Sequence, residues 1–238
     1  MTYGDEGILS LEMFDRENKN MKMLLLLFVI CSCAIKTKYP TDWWRPVDEQ
    51  NAASWEILPQ AAGENEVIVS KRNELGILSN FAATPFWLNG KRYASVEGFW
   101  QMMKYPEGKD DPRQGWKLPH TREEVAQMSG FEAKAAGDLA EEWMKKTGID
   151  WVTFEGERMT YCSPTPGEHY RLIKEAMIKK LRYNQEVKRL LLATNDLILK
   201  PDHHNETCTA AEWKYFELWM DIRKDLKRSM ARFMLLSP

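Results

Sequence analysis

Cysteine is scarce in this sequence: Cys31, Cys33, Cys162 and Cys208 are the four it has, and their spacing matches no zinc-binding pattern. No run of about twenty apolar residues occurs, so no segment is long enough to span a bilayer as a helix. A glycine-rich phosphate loop and a Ser-His-Asp spacing are both missing, as are internal repeats and low-complexity tracts. An excess of one charge is lacking too. The formal net charge is −2, which offers no general attraction to nucleic acid or to an anionic membrane and leaves only a local basic groove open. These absences remove the metal, P-loop and serine-triad readings, and neither a metal nor a cofactor is expected.

The chain has 238 residues, enough for one ordinary domain with extensions. Hydrophobic residues make up 44%, which supports a sizeable core and excludes disorder throughout. Ten tryptophans are many, and those the core does not need are candidates for stacking on a base or ring. Near the N-terminus Met21-Lys22-Met23 precedes the apolar run Leu24 to Ile30 and then Cys31-Ser32-Cys33. A short cationic start, a brief apolar stretch and small residues are the pattern of a secretory signal. The expectation is that translation starts at Met21 or Met23. Cys33 is then the lipidated residue of a lipobox, and the protein is exported and anchored to a membrane through that lipid alone; a cytoplasmic location is the alternative. The expected organisation is 1–33 as an over-extended start with signal and lipobox, 34–65 as a tether packing its tryptophans on the domain, and 66–238 as the domain. Cys162 and Cys208 are expected to be two buried thiols, with pairing in an oxidising compartment as the alternative.

The densest stretch runs from Gly76 to Tyr105. Asn89-Gly90 is a hairpin turn dipeptide, with extended segments at Pro85 to Leu88 and Lys91 to Ala94 on either side. Ser95 is a plausible N-cap for the helix that follows. At about 100° per residue, Glu97, Trp100, Gln101 and Lys104 share one face of that helix. Val96, Phe99, Met102 and Met103 share the other. A face carrying an acid, an indole, an amide and an amine can line a pocket, and it can equally be a solvated face with a stray tryptophan. Helix geometry alone weighs the two evenly.

The block also resembles the signature of the YbiA-like N-glycosidase (NADAR) family. The matching positions are Leu78-Ser79-Asn80-Phe81, Pro85-Phe86, Gly90, Tyr93, Ser95, Glu97, Trp100-Gln101 and Lys104. Gly98 stands where the family has a histidine. The similarity extends over roughly Glu66 to Leu226, with Trp219-Met220-Asp221-Ile222-Arg223 matching the family's closing motif. It implies an α+β fold, predominantly helical, with a small sheet and hairpin near the start of the domain. It also implies hydrolysis of a ribosyl N-glycosidic bond in an ADP-ribosyl or phosphoribosyl-amine substrate. Glu97 would stabilise the oxocarbenium-like transition state. Its place near a helix N-terminus favours the anion. Lys104 would neutralise a phosphate or, with its pKa lowered by desolvation, form a Schiff base with the opened sugar. Asn80, Trp100 and Gln101 would bind substrate, with Trp151 matching the family's later tryptophan.

Around these motifs the remaining chain reads as follows. Glu66 to Ser70 is a strand, with Lys71 and Arg72 after it as an anion-binding or simply solvated pair, and Arg72 is kept as a substrate-binding candidate. Pro106 to Pro119 is a loop beside the site. Thr121 to Glu124 is a capping box that starts a short helix. Helices are expected over Phe131 to Lys146, Gly167 to Tyr183 and Gln185 to Thr194. Another capping box, Thr209 to Glu212, is expected to open a last long helix. The family's W-G-x-G turn is missing; Asp202 and His203 stand near its place and are kept as pocket candidates. Two alternatives remain beside the enzyme: an ADP-ribose or nucleotide-binding module without turnover, and an envelope-anchored interaction protein using the fold as a scaffold.

Overall fold

Asn89 and Gly90 both take left-handed backbone angles, φ 48° and 77°, in the computed structural model of the chain, which describes residues 38–204 and 210–236. That is the geometry of a type I′ turn, and it joins β2 (Phe86–Leu88) to β3 (Lys91–Tyr93) in register, with Phe86 opposite Tyr93. The hairpin delivers the chain to Ser95. Ser95 Oγ accepts from Gly98 N at 2.8 Å and caps α1 (Val96–Met102), while donating to Met128 O at 2.9 Å. Every residue of α1 is buried.

Around α1 pack α2 (Arg122–Ala126), α3 (Gly130–Thr147) and α4 (Glu168–Tyr183). The Thr121–Glu124 capping box is present with both of its hydrogen bonds. Ala133, Ala136, Gly137 and Ala140 of α3 are buried, so small side chains bring α3 close to α1, and Gly148 ends α3 in the left-handed region at φ 68°. Phe86, Tyr93, Phe99 and Phe154 form an aromatic cluster with centroids 4.7 to 5.9 Å apart, mostly edge to face. Such pairs contribute about 0.5–1.5 kcal/mol each beyond area burial.

The fold is α+β and mainly helical, as the sequence suggested, but the strands are arranged differently. The described residues hold three two-stranded sheets in place of one small sheet near the start of the domain. β1 (Glu66–Ile68) pairs in parallel with β6 (Ile198–Lys200), from the far end of the domain. With both faces covered, Val67, Ile68 and Val69 are all buried, which explains the weak alternation in this strand. The third pair, β4 (Trp151–Phe154) and β5 (Glu157–Thr160), turns at Glu155-Gly156, both at positive φ.

Further along, α5 (Gln185–Ala193) is followed by β6, and α6 (Tyr215–Leu236) closes the described chain. Thr209 of the expected capping box lies outside the described residues, and α6 begins only at Tyr215. Ala211–Trp213 is a separate 3-10 turn, and Glu212 is bound to His169 instead. No helix among the described residues is long and apolar enough to cross a membrane.

The described residues from Thr41 onward form one compact unit. Residues 41–65 run as three short 3-10 turns. Trp43 is fully buried and donates to Glu74 Oε1 at 2.8 Å, and Trp44 donates to Glu66 O at 2.9 Å. The segment expected to direct export, with Cys31 and Cys33, lies outside the described residues, as does Cys208. Cys162 is disulfide-bonded, not the buried thiol expected.

Candidate active site

The loop Leu78-Ser79-Asn80-Phe81 is held by its carbonyls, each accepting from a different element. Leu78 O accepts from Trp219 Nε1 at 2.7 Å and Ser79 O from Lys180 Nζ at 2.7 Å. Asn80 O accepts from Glu97 N and Phe81 O from Gly130 N, both at 2.9 Å. The loop is thereby fixed against the start of α1 and of α3, and a pocket of about 600 Å³ opens between them.

Glu97, Trp100 and Gln101 of α1 line that pocket, with Asn80 beside them and His203 on another wall. Glu97 Oε1 accepts from Gln101 Nε2 at 2.7 Å, and only 6% of Glu97 is exposed. Burial raises the Glu97 pKa above the usual carboxylate value; the Gln101 hydrogen bond and the charges of Lys104, Lys134 and His203 oppose this without cancelling it. The shift is therefore opposite in direction to the one expected at a helix N-terminus, because burial outweighs the contacts that favour the anion. Asn80 Oδ1 and Trp213 Nε1 are buried with no hydrogen-bond partner among the described residues, and both residues line the pocket.

Asp202 is fully buried behind the lining. It binds three residues that do line the pocket: Lys71 Nζ, His203 Nδ1 at 2.8 Å and the Tyr215 hydroxyl at 3.4 Å. Burial pushes its pKa up, but the hydrogen bonds and charges of His203 and Lys71 leave it below the usual carboxylate value. His203 in turn lies parallel to the Tyr215 ring at 6.2 Å and 10°.

Three residues anticipated at the site lie elsewhere. Lys104 shares the helical face of Glu97, yet it is 1% exposed and not on the lining. It donates to Glu141 Oε2 at 2.8 Å and lies 4.9 Å over the Tyr161 ring. Burial alone would lower its pKa, but Tyr161 and Glu141 raise it, and Glu141 is pulled down to about 2 by the Lys104 ion pair and by Lys145 despite its own burial. A Schiff-base nucleophile needs a lowered pKa, and the paired Lys104 is shifted the other way, so the lowering expected from desolvation is not found. Trp151 is held between the guanidiniums of Arg113 at 4.6 Å and Arg158 at 4.2 Å, away from the lining. Arg72 forms a two-pronged pair with Glu56 at 2.8 and 2.7 Å and also donates to Asn51 O, tying the segment before β1 to the domain.

The loop 106–119 does not line the pocket either. Its Arg113 is buried and bonds Asp111, Met103 O and Thr153 Oγ1, while Arg122 bonds Met102 O, Tyr105 O and Thr153 O. The two guanidiniums satisfy carbonyls at the end of α1 and clamp it to β4. Gly98 has a packing explanation. A Cβ there would stand 2.4 Å from Met128 O and 2.8 Å from Val125 O, so the backbone around α2 closes this position to any side chain.

Other lining residues come from places the sequence did not mark. Ser54 and Trp55 belong to the stretch expected to be a tether; Phe131 and Lys134 start α3; Trp213 and Tyr215 flank the start of α6. Trp55, Phe81 and Phe131 make an aromatic mouth, with centroids 5.9 and 5.2 Å apart, and Lys71 Nζ lies 4.9 Å from the Phe81 centroid. The one available signal was exposed aromatic character: Trp55 is 42% and Phe131 61% exposed. No group of three or more His, Cys, Asp or Glu that could hold a metal occurs among the described residues.

The family described as Bacteriophage protein GP30.3 matches residues 72–212, which is over half the chain and carries most of this pocket. The chain belongs to that family, which is of the NADAR type. The match begins at Arg72 and ends at Glu212, so Ser54, Trp55, Lys71, Trp213 and Tyr215 are pocket residues that lie outside the matched span. Among solved structures, the chain is similar to the NMR structure of the E. coli protein YbiA, at 20% identity and a TM-score of 0.44, covering 69% of this chain and 87% of that one. No curated protein matches it.

Proposed function

We propose that the pocket hydrolyses a ribosyl N-glycosidic bond, in a substrate of the ADP-ribosyl or phosphoribosyl-amine class. The observation that carries this reading is Glu97: a nearly enclosed carboxylate, oriented by Gln101, at a pocket with aromatic walls. Breaking a C1′–N bond develops positive charge on the ribose. A carboxylate in a dry site meets that charge with far less screening than in water. The same charge favours the Glu97 carboxylate over its neutral form and so opposes the effect of burial. Trp100, Trp213 and Tyr215 offer faces and edges for a base, and Lys71 and Lys134 put positive charge on the lining for a phosphate. Asn80 Oδ1 and Trp213 Nε1 stand ready for polar groups of the ligand.

A binding module without turnover is the second reading. It is favoured by Lys104, whose ammonium is held by Glu141 away from the lining. One experiment separates the two. Purified protein is incubated with NAD, nicotinamide mononucleotide, AMP and ADP-ribose attached to a nucleobase, and the released base is measured by chromatography. Ligand binding is followed in parallel by thermal shift with ADP-ribose. The enzyme reading expects base release that falls about 10²-fold or more in Glu97→Gln, with binding retained. Binding without release from any substrate favours the module, and neither binding nor release rejects both.

A further inference from the structure

We propose that His203, oriented by Asp202, is the general acid that protonates the departing base. This rests on the N-glycosidase reading above and adds a second reacting group to it. His203 lies on the pocket wall, and its Nδ1 is committed to Asp202 Oδ1 at 2.8 Å. With Nδ1 engaged, Nε2 is the ring nitrogen left for a ligand. A buried carboxylate on Nδ1 fixes the orientation of the ring, and the form that acts as the acid is the imidazolium, which carries its second proton on Nε2. Asp202 cannot reach a ligand itself, because it is fully buried.

The position is rigid although it lies in a loop. Asp202 O accepts from Ile57 N at 2.8 Å, Glu56 and His203 form an antiparallel bridge, and His204 N donates to Trp55 O at 3.3 Å. Tyr215 stacks on the ring. The other proton carriers on the lining are less suited. Lys71 is paired with Asp202 and Lys134 with Asp138, and His204 has no carboxylate among the described residues to orient it. A histidine merely stacked on a tyrosine is the plainer alternative, but it does not account for a fully buried aspartate gathering His203, Lys71 and Tyr215 behind one wall.

The step balances as follows. The C1′–N bond breaks with its electron pair going to the base nitrogen, which takes the proton from His203 Nε2. Water adds to C1′ and gives its proton to the Glu97 carboxylate. Glu97 then releases that proton to solvent, and His203 regains one from solvent. The net reaction consumes one water and yields the free base and the sugar.

Leaving-group dependence tests this. A pyridinium, as in nicotinamide mononucleotide, departs neutral and needs no proton, whereas the base of AMP or of a base-linked ADP-ribose does need one. His203→Asn keeps a donor for Asp202 and removes Nε2; His203→Gln serves as the second variant, and unchanged melting temperatures confirm folding. The expected result is a fall of about 10²–10⁴-fold in kcat on the neutral-base substrates and less than about 10-fold on the pyridinium. An equal fall on both classes, or no fall on either, overturns the assignment. So does a wild type that cleaves only the pyridinium. A wild type inactive on every substrate overturns the function reading itself, which is a different outcome from an active wild type indifferent to His203.

Discussion

Replacing Gly137 with alanine disturbs the pocket from outside it. A Cβ at position 137 would stand 1.7 Å from Gln101 Oε1, 2.2 Å from its Cδ and 2.7 Å from its Cγ. The Gln101 side chain must move, and with it goes its hydrogen bond to Glu97 Oε1. A hydrogen bond to a charged group contributes about 1.5–3 kcal/mol. Alanine in place of glycine returns about 1 kcal/mol of helix propensity to α3. The expected net loss is about 1 kcal/mol in urea unfolding near neutral pH, with the Glu97 pKa raised further because a contact that lowers it is gone. Carbon-13 NMR of the Glu97 carboxyl reads the second effect directly. The double-mutant cycle supplies the control: Gln101→Ala removes the atoms that clash, so Gly137→Ala in that background should stabilise, giving a coupling of about 1–2 kcal/mol. If Gly137→Ala stabilises equally in both backgrounds and leaves the Glu97 titration unmoved, the argument from close approach is wrong.

Two further outcomes follow from buried charges. Lys180 is enclosed without an acid partner among the described residues and donates to Ser79 O, and burial lowers its pKa to about 7. Between that value and the ordinary lysine range the unfolded chain binds more protons than the folded one, so stability should rise with pH at about 1.4 kcal/mol per unit at most. Lys180→Met should flatten this slope in denaturant titrations, and parallel curves for the two proteins would show that the lysine carries no such linkage. Glu141, held at about 2 mainly through Lys104 against its own burial, contributes stability that is full above the usual carboxylate pKa and lost as pH falls toward 2. Glu141→Gln should cost about 3–5 kcal/mol by stranding the Lys104 ammonium, and a cost below about 1 kcal/mol would show that the pair is solvated.

What the sequence determined by itself is local. The Asn89-Gly90 turn, the Ser95 cap, the Thr121 capping box and the common face of Glu97, Trp100 and Gln101 depend on residues at most four apart, where backbone geometry leaves few choices. The β4–β5 hairpin was equally local and went unseen, because Glu155 takes the positive φ that Asn or Asp usually supplies. Apart from the Glu97–Gln101 contact, what decides the chemistry of the pocket is non-local. Lys104 sits on the right face of α1, but Glu141, 37 residues on, claims its charge. Asp202 reaches Lys71 across 131 residues, and β1 meets β6 from the far end of the domain. Trp55 enters the pocket from a stretch with no periodicity at all. Periodicity reports which way a side chain leaves its own element. Which charge waits for it there, and whether water is excluded, depends on elements that only folding brings together.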